Sequence, residues 1–440
     1  EITIPPALEP PEEESIPPDD EEYVEAVNNA FTSSELSKIK PQAMTEFPDV
    51  KIASGLVNDT GIELPGEVEK LILSYHTDRY AALGGLRFIS TSQYFDNSTI
   101  RGKLYSIFND TVIEYLIFVR SEKDSGMIKS KICDLIGIKY PIFQGGMAWI
   151  SDAKLAAAVS EAGGLGIISA MNANAEYLRT EIRKCKELTN KNFGVNIMLM
   201  SPFADEVAKV VVEEKVPVVT TGAGMPTKYI KDWLEAGIKV IPVVASVAVA
   251  IRVARMGASA VIAEGCESGG HVGEMNTMAL VPQVCSAVDI PVIAAGGIAD
   301  GRGVAASFML GAEGVQCGTC FLVADECNVH ENYKNKIISA GDTDTIVTGK
   351  RLGHPVRSLK TPFSRKFAAM EKENTTTDEQ IMAFGAGSLR KAAVDGNITE
   401  GSFMAGQSAG MVKEILPAKE IINKMMTEAE DLLKNAQNRI

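Results

Sequence analysis

Apolar and polar positions keep three different rhythms along this 440-residue chain. Residues 1–22 have none: prolines and acids follow one another without a single basic side chain, and such a stretch cannot bury enough apolar surface to offset its ordering entropy. An extended, acidic, proline-rich tail is expected there. Over 23–120 the pattern is mixed, with helical stretches. Helices are predicted over 22–31, over 35–40 with Ser34 as cap, and from Pro65 to His76, then a longer amphipathic one carried by Ile100, Leu104, Ile107, Phe108, Val112 and Leu116. This predicts a small, mainly helical domain. It holds no Asp-Ser-Leu site for a phosphopantetheine arm, no metal cluster and no glycine-rich phosphate loop, so its role is not legible. Residues 121–126 read as a polar linker leading to Met127, which makes the first module a fused partner or carrier, or else a natural regulatory or oligomerisation domain.

From residue 138 the rhythm becomes a strand and helix alternation with a repeat of about 25–30 residues, the size of a βα unit. Eight short runs rich in Val and Ile, at 141–144, 165–169, 193–199, 217–221, 239–244, 260–264, 291–295 and 314–317, have the continuous apolar character of strands buried on both faces. Each of the first seven leads into an amphipathic helical stretch. Eight repeats argue for an α/β fold of the (β/α)8 TIM-barrel type over 127–440, rather than an open doubly wound sheet.

Charge and cysteine content narrow the possibilities. Of the formal charge of -14, nearly all belongs to residues 1–126, with 23 acidic against 10 basic side chains; the rest of the chain holds 34 and 33. Neither part offers a basic patch for a phosphodiester backbone, which excludes nucleic acid as a partner. The seven cysteines all follow residue 126, and an odd count without a disulfide framework suits reduced thiols in a cytoplasmic protein. Cys317 and Cys320 have redox or zinc spacing but no second pair, so two buried thiols are expected and no metal site is assigned. No apolar run is long enough to span a membrane, and no secretory signal is present.

In a barrel of this kind the chemistry gathers at the strand C-termini. Nearly every strand end here carries glycine: Gln144-Gly-Gly-Met147, Asn196 in Gly-Val-Asn-Ile-Met, Thr221-Gly-Ala-Gly224, Ala295-Gly-Gly297 and Gly318-Thr319. Such loops let backbone N–H groups approach an anion, and those after the seventh and eighth strands form the usual phosphate site of the fold. The sixth strand runs from Glu264 into Ser-Gly-Gly-His271-Val-Gly, and His271 is one of four histidines in the chain. An imidazole on a glycine loop above a flat ligand can donate, accept or transfer a proton near neutral pH. Gln144 and Asn196 are read as amides bonding a heteroaromatic ring. Glu264 can act as a base but better suits backbone N–H groups or ribityl hydroxyls, and Asp300 suits a helix N-cap.

Several segments carry a resemblance: Tyr140-Pro-Ile-Phe-Gln-Gly-Gly-Met-Ala-Trp149, Gly194-Val-Asn-Ile-Met-Leu-Met-Ser-Pro-Phe203, Thr220-Thr-Gly-Ala-Gly224, Gly269-Gly-His-Val-Gly273, Pro291-Val-Ile-Ala-Ala-Gly-Gly-Ile-Ala-Asp-Gly301 and Ser402-Phe-Met-Ala-Gly-Gln-Ser-Ala-Gly410. From Met127 onward the chain resembles the flavin-dependent enoyl-acyl-carrier-protein reductase II, within the wider nitronate monooxygenase-like group of FMN barrels. The resemblance implies an NADH-dependent reductase that saturates the 2,3-double bond of an enoyl thioester on acyl carrier protein in bacterial fatty-acid elongation. It also implies a homodimer, with potassium as a possible accessory ion of unassigned ligands. His271 would be the catalytic histidine. Gly146, Met147, Asn196, Thr221, Gly222, Glu264, Gly269, Gly270, Ala295, Gly296, Gly297, Gly318 and Thr319 would line the FMN, and Met404, Gly406 and Gln407 would close the site. Residues 341–400 would form a mobile insert over the mouth, its basic residues Lys350, Arg351, Arg357 and Lys360 meeting the carrier or the cofactor phosphates, or facing solvent. The glycine motifs are common to the whole group, which leaves a nitronate monooxygenase or an inactive flavin-binding scaffold as alternatives.

Overall fold

The computed structural model describes residues 128–171 and 173–436. These belong to the second of the two units into which the chain divides, Ser125–Ile440. The tail, the helices expected over 22–116 and the linker lie outside the described residues.

The first helix, α1 (Lys131–Ile136), starts where the Ser130 hydroxyl accepts from the Ile132 amide. Strands and helices then alternate: β1 (Ile142–Gln144), α2 (Ala153–Glu161), β2 (Ile167–Ser169), α3 (Ala175–Leu188), β3 (Gly194–Met198), α4 (Ala204–Glu213), β4 (Val218–Gly222), α5 (Ile230–Glu235), β5 (Lys239–Val244), α6 (Val247–Arg255) and β6 (Val261–Glu264). A two-residue strand, β7 (Gly270–His271), interrupts the series before α7 (Thr277–Cys285), β8 (Val292–Ala295), α8 (Gly301–Met309) and β9 (Gly314–Cys317). Leaving β7 aside, the strands pair in parallel in the order β1-β9-β8-β6-β5-β4-β3-β2. A bridge from Phe143 to Leu165, with the Gln144 amide donating to the Leu165 carbonyl at 3.0 Å, joins the two edges into a ring. All eight expected barrel strands are present, with ends shifted by two residues at most.

Alternation along each strand sorts the side chains into two layers. Phe143, Ile167, Val218, Ile241, Ile262 and Ile293 point to the barrel axis, where Ile132 and Ile136 of α1 join them. Ile132 reaches the first residue of β9, so α1 stops the end of the barrel opposite the strand C-termini. The residues of opposite parity, including Ile142, Ile168, Val195, Ile197, Val219, Val261 and Val315, pack outward against Leu155, Val159, Leu178, Val207 and Val253 of the helices. Each such fully buried aliphatic side chain stabilises the fold by about 1.5–3 kcal/mol. Asp300 caps α8, its carboxylate accepting from the Gly303 amide at 3.1 Å, as the sequence predicts.

Beyond β9 come a 3-10 turn (Thr319–Val323), α9 (Glu331–Ile338), β10 (Thr345–Thr348), β11 (Val356–Leu359), α10 (Pro362–Lys372), α11 (Asp378–Gly385), α12 (Ser388–Ala393) and α13 (Ala418–Lys434). Helix α13 packs on α8 and α2 and completes the outer ring. Its backbone comes so close to Gly301 that a Cβ there would lie 2.5 Å from the Ala429 nitrogen. The insert carries a hairpin that hydrophobic patterning did not reveal: β10 and β11 are antiparallel, and β11 pairs with β7, placing Val356 beside His271 and Arg357 beside Gly270.

Candidate active site

A cavity of about 560 Å3 opens at the C-terminal ends of the strands. Its floor comes from inward-facing strand ends. Asn196 of β3 accepts a hydrogen bond from the Thr220 hydroxyl of β4 at 3.0 Å, which fixes its amide against the neighbouring strand. Glu264 ends β6 and Gln316 lies on β9, both of inward parity and both lining the cavity. Burial pushes the Glu264 carboxyl up to about 7, against a smaller lowering by the Ser268 hydroxyl. Near neutral pH this group exists in both protonation states.

One wall is backbone. The loops after β8 and β9 present the N–H groups of Gly297, Gly318 and Thr319, which have no acceptor among the described residues. Gly296 and Gly297 hold φ values of 98° and 77°, in the region that glycine alone enters without strain. A Cβ at Gly296 would sit 2.8 Å from the Gly265 carbonyl, so the two loops are packed as closely as backbones allow. The Thr277 hydroxyl ties them further, bonding the Gly296 carbonyl and the Glu267 carboxylate at 2.9 Å each.

The other wall carries His271. The imidazole is exposed on one side, partial desolvation at the cavity lowers its pKa, and charge repulsion from His354, just ahead of β11, lowers it further. Both influences favour the neutral imidazole. Its loop is anchored from the insert: the buried Arg357 donates from Nε and Nη2 to the Cys266 carbonyl at 3.1 and 3.0 Å, and from Nη1 to the Thr345 hydroxyl at 3.0 Å. The segment from Met404 to Ser408 closes the cavity. It is tied to the β9 loop by the Gly406 amide donating to the Thr319 hydroxyl at 3.0 Å, to the His271 loop by the Gln407 amide donating to Glu267 at 2.9 Å, and to α9 by the Tyr333 hydroxyl donating to the Met404 carbonyl at 2.7 Å.

Fourteen of the sixteen residues expected at the cofactor line this cavity together with His271: Gly146, Met147, Asn196, Gly222, Glu264, Gly269, Gly270, Ala295, Gly296, Gly297, Gly318, Thr319, Met404 and Gly406. Thr221 does not. It has outward parity on β4, and its buried hydroxyl has no partner among the described residues. The side chain of Gln407 is exposed, and only its backbone serves the site. Gln144 does not meet a ring either. It is fully buried with outward parity on β1, and its amide donates to Ser151 Oγ at 2.9 Å and accepts from the Ile167 amide at 3.1 Å. Arg357 faces the Cys266 carbonyl rather than a phosphate or solvent, and Arg351 pairs with Asp378 at 2.8 Å. Sequence reasoning missed Thr220, Gln316 and Tyr333. Strand parity points to the first two, whereas nothing local marks Tyr333, which reaches the cavity from a helix beyond the barrel.

Cys317 and Cys320 are both buried, and a hydrogen bond between them, together with burial, raises the Cys317 thiol well above its ordinary range. No helix among the described residues is long and apolar enough to cross a membrane.

The nitronate monooxygenase family model matches residues 129–209 and 201–428. The chain belongs to the nitronate monooxygenase family. Members of this family are FMN-dependent TIM barrels. A probable nitronate monooxygenase of Staphylococcus aureus is 33% identical over 70% of this chain and 99% of its own length. Among solved structures, FabK from Thermotoga maritima is 54% identical with a TM-score of 0.70, covering 71% of this chain and 100% of that one. A nitroalkane oxidase from Streptomyces ansochromogenes is 30% identical with a TM-score of 0.63, covering 70% and 99%.

The cavity of this family member fits a flavin. A Cβ at Gly222 would meet nothing within 4 Å, and one at Gly318 only the Met147 sulfur at 3.7 Å, so these glycines leave room for a flat ligand. No Lys or Arg lines the cavity. A phosphate would be held by the free amides of Gly297, Gly318 and Thr319, and a ring would lie against Asn196, Met147 and the Gly269–Gly270 backbone.

Proposed function

We propose that this barrel is an FMN- and NADH-dependent enoyl-acyl-carrier-protein reductase. The observation that carries the reading is that His271 and a wall of free backbone amides line one cavity at the strand C-termini, with no basic side chain in it. The choice of substrate is supported by the motif resemblance and by 54% identity to FabK, an enoyl-acyl-carrier-protein reductase, against 30% to the nitroalkane oxidase.

The chemistry supplied by bound FMN is hydride acceptance from a nicotinamide and hydride delivery to the β-carbon of the enoyl thioester. The chain's own groups do the rest. The His271 imidazole donates an N–H hydrogen bond to the thioester oxygen, where negative charge develops, and the proton that reaches the α-carbon comes from water. Asn196, held by Thr220, orients the ring, and the 404–408 segment closes the cavity. The apolar side chains of Met171, Met198, Met225 and Val249 line the remaining space, which suits an acyl chain.

The family match and the Staphylococcus aureus relative favour a second reading, oxidation of a nitronate by oxygen. Anaerobic NADH consumption with an enoyl thioester, set against oxygen uptake with an alkyl nitronate in the absence of NADH, separates the two. NADH oxidation dependent on the enoyl thioester is expected. Turnover of the nitronate alone overturns the proposal.

A further inference from the structure

We propose that Trp149 and Arg390 form an adenylate subsite at the cavity mouth, an aromatic plate for the purine beside a guanidinium for its phosphates. As an account of the reductant's far end, this rests on the reading of the barrel as an NADH-dependent enzyme.

Trp149 sits in the loop after β1, between Ala148 and Ile150, which both line the cavity. The indole does not line it and is 48% exposed. The Trp149 backbone has φ 64°, a left-handed conformation that is an outlier for so bulky a residue. The loop enforces it: the amides of Ile150 and Ser151 both donate to the Met147 carbonyl, at 3.1 and 2.9 Å, and Ser151 Oγ accepts from the Met147 amide and the Gln144 side chain at 2.9 Å each. Gln144, which does not reach a ring ligand, thus holds the rim. Across the mouth, Leu389 of α12 lines the cavity, and the next residue places its guanidinium 6.0 Å from the Trp149 ring centroid. Asp395, 3.2 Å from Arg390 Nη1, keeps that guanidinium in place while half of the side chain stays exposed.

With the turn fixed by the Met147 carbonyl and Ser151, the indole is kept out of the core and half in water, where its face is available to a stacking ligand. Purines stack on Trp irrespective of sequence context, and a guanidinium over one face of the ring meets the phosphate of a purine on the other. No basic side chain lines the cavity itself, so a ligand with phosphates outside it would find Arg390 at the rim. The adenylate can come from a dinucleotide or from a coenzyme A thioester.

The chain has two tryptophans, and Trp233 is buried with its Nε1 bonded to the Ala208 carbonyl, so ligand-dependent emission reports on Trp149. With the FMN-loaded full chain, ADP is expected to quench tryptophan emission saturably, nicotinamide mononucleotide is not, and Arg390→Gln should weaken ADP binding about tenfold. Trp149→Asn preserves the left-handed turn and should raise the KM for NADH about tenfold more than that for reduced nicotinamide mononucleotide if the source is the dinucleotide. If the source is coenzyme A, the same excess appears for an enoyl-CoA over its N-acetylcysteamine thioester. No saturable ADP response, or equal KM changes within both pairs, overturns the subsite. Failure of wild-type protein to oxidise NADH would instead overturn the proposed function, and the ADP titration would still decide the subsite.

Discussion

The two walls of the cavity are built in different ways. The amide wall after β8 and β9 is made chiefly by the barrel: Gly296 lies against the Gly265 carbonyl and Thr277 bonds both the β6 and β8 loops, with one tie from beyond the barrel, the Gly406 amide on the Thr319 hydroxyl. The His271 wall is borrowed. Its two-residue strand is held by β11 of the insert, and its Cys266 carbonyl by Arg357, ninety-one residues further along the chain. Binding of an anionic ligand and positioning of the imidazole are therefore separable properties. The first follows from the fold, and the second depends on a segment that a barrel does not require.

Separability is tested most severely by His271→Ala. The amide wall is untouched, so the variant should purify with FMN in normal stoichiometry, while the enoyl-dependent rate falls by about 10²–10⁴-fold, the range for loss of a general acid or base. Flavin absorbance and steady-state turnover measure the two properties independently. A variant that loses its flavin would show that the walls are not independent.

Glu264 lies between the walls and gives the next largest effect. Its carboxyl is raised from 4.5 to about 7 by burial. Below pH 4.5 both folded and unfolded forms are protonated and the contribution to stability is complete; as pH rises through about 7 the unfolded chain ionises first, and stability is lost. The loss amounts to about 3 kcal/mol between those limits, at about 1.4 kcal/mol per pH unit. Urea unfolding of flavin-free protein at pH 5 and pH 8 should show it, and Glu264→Gln should abolish it. An equal pH response in both proteins would mean that Glu264 titrates normally.

Arg357→Met should weaken the borrowed wall alone. Removing the guanidinium frees the Cys266 carbonyl and the Thr345 hydroxyl, at a cost of about 1–3 kcal/mol. The loss should appear as reduced turnover and faster amide exchange around 266–273, with flavin affinity unchanged. Loss of flavin together with turnover would contradict the division.

The same division governs what the sequence makes legible. The eight strands are buried on both faces, and their continuous apolar runs give position without ambiguity. The glycines of the amide wall declare themselves because close backbone approach requires them. Parity was the weak point. Gln144 and Thr221 stand at strand ends as expected but point away from the axis, and a shift of one residue reverses the face of a strand side chain. The hairpin β10–β11 escaped notice because its half-buried residues, Thr345, Ile346 and Val347 among them, follow no rhythm that separates a strand from a loop. Its partner is the two-residue β7, too short to leave a periodic signal.

The smallest prediction turns that parity into a measurement. Thr220 and Thr221 are adjacent and chemically identical, yet one hydroxyl holds Asn196 at 3.0 Å and the other is buried without a partner among the described residues. Replacing Thr220 by Val removes a buried hydrogen bond and leaves the Asn196 oxygen without that donor, which should cost about 1 kcal/mol and weaken flavin retention by several fold. Replacing Thr221 by Val removes a hydroxyl that gains nothing from burial, and stability should hold or rise slightly. Thermal unfolding with and without FMN distinguishes the pair. If Thr221→Val were the variant that lost flavin, β4 would be turned by one residue from the register described, and the inward set of Asn196, Thr220 and Gly222 would be wrong with it.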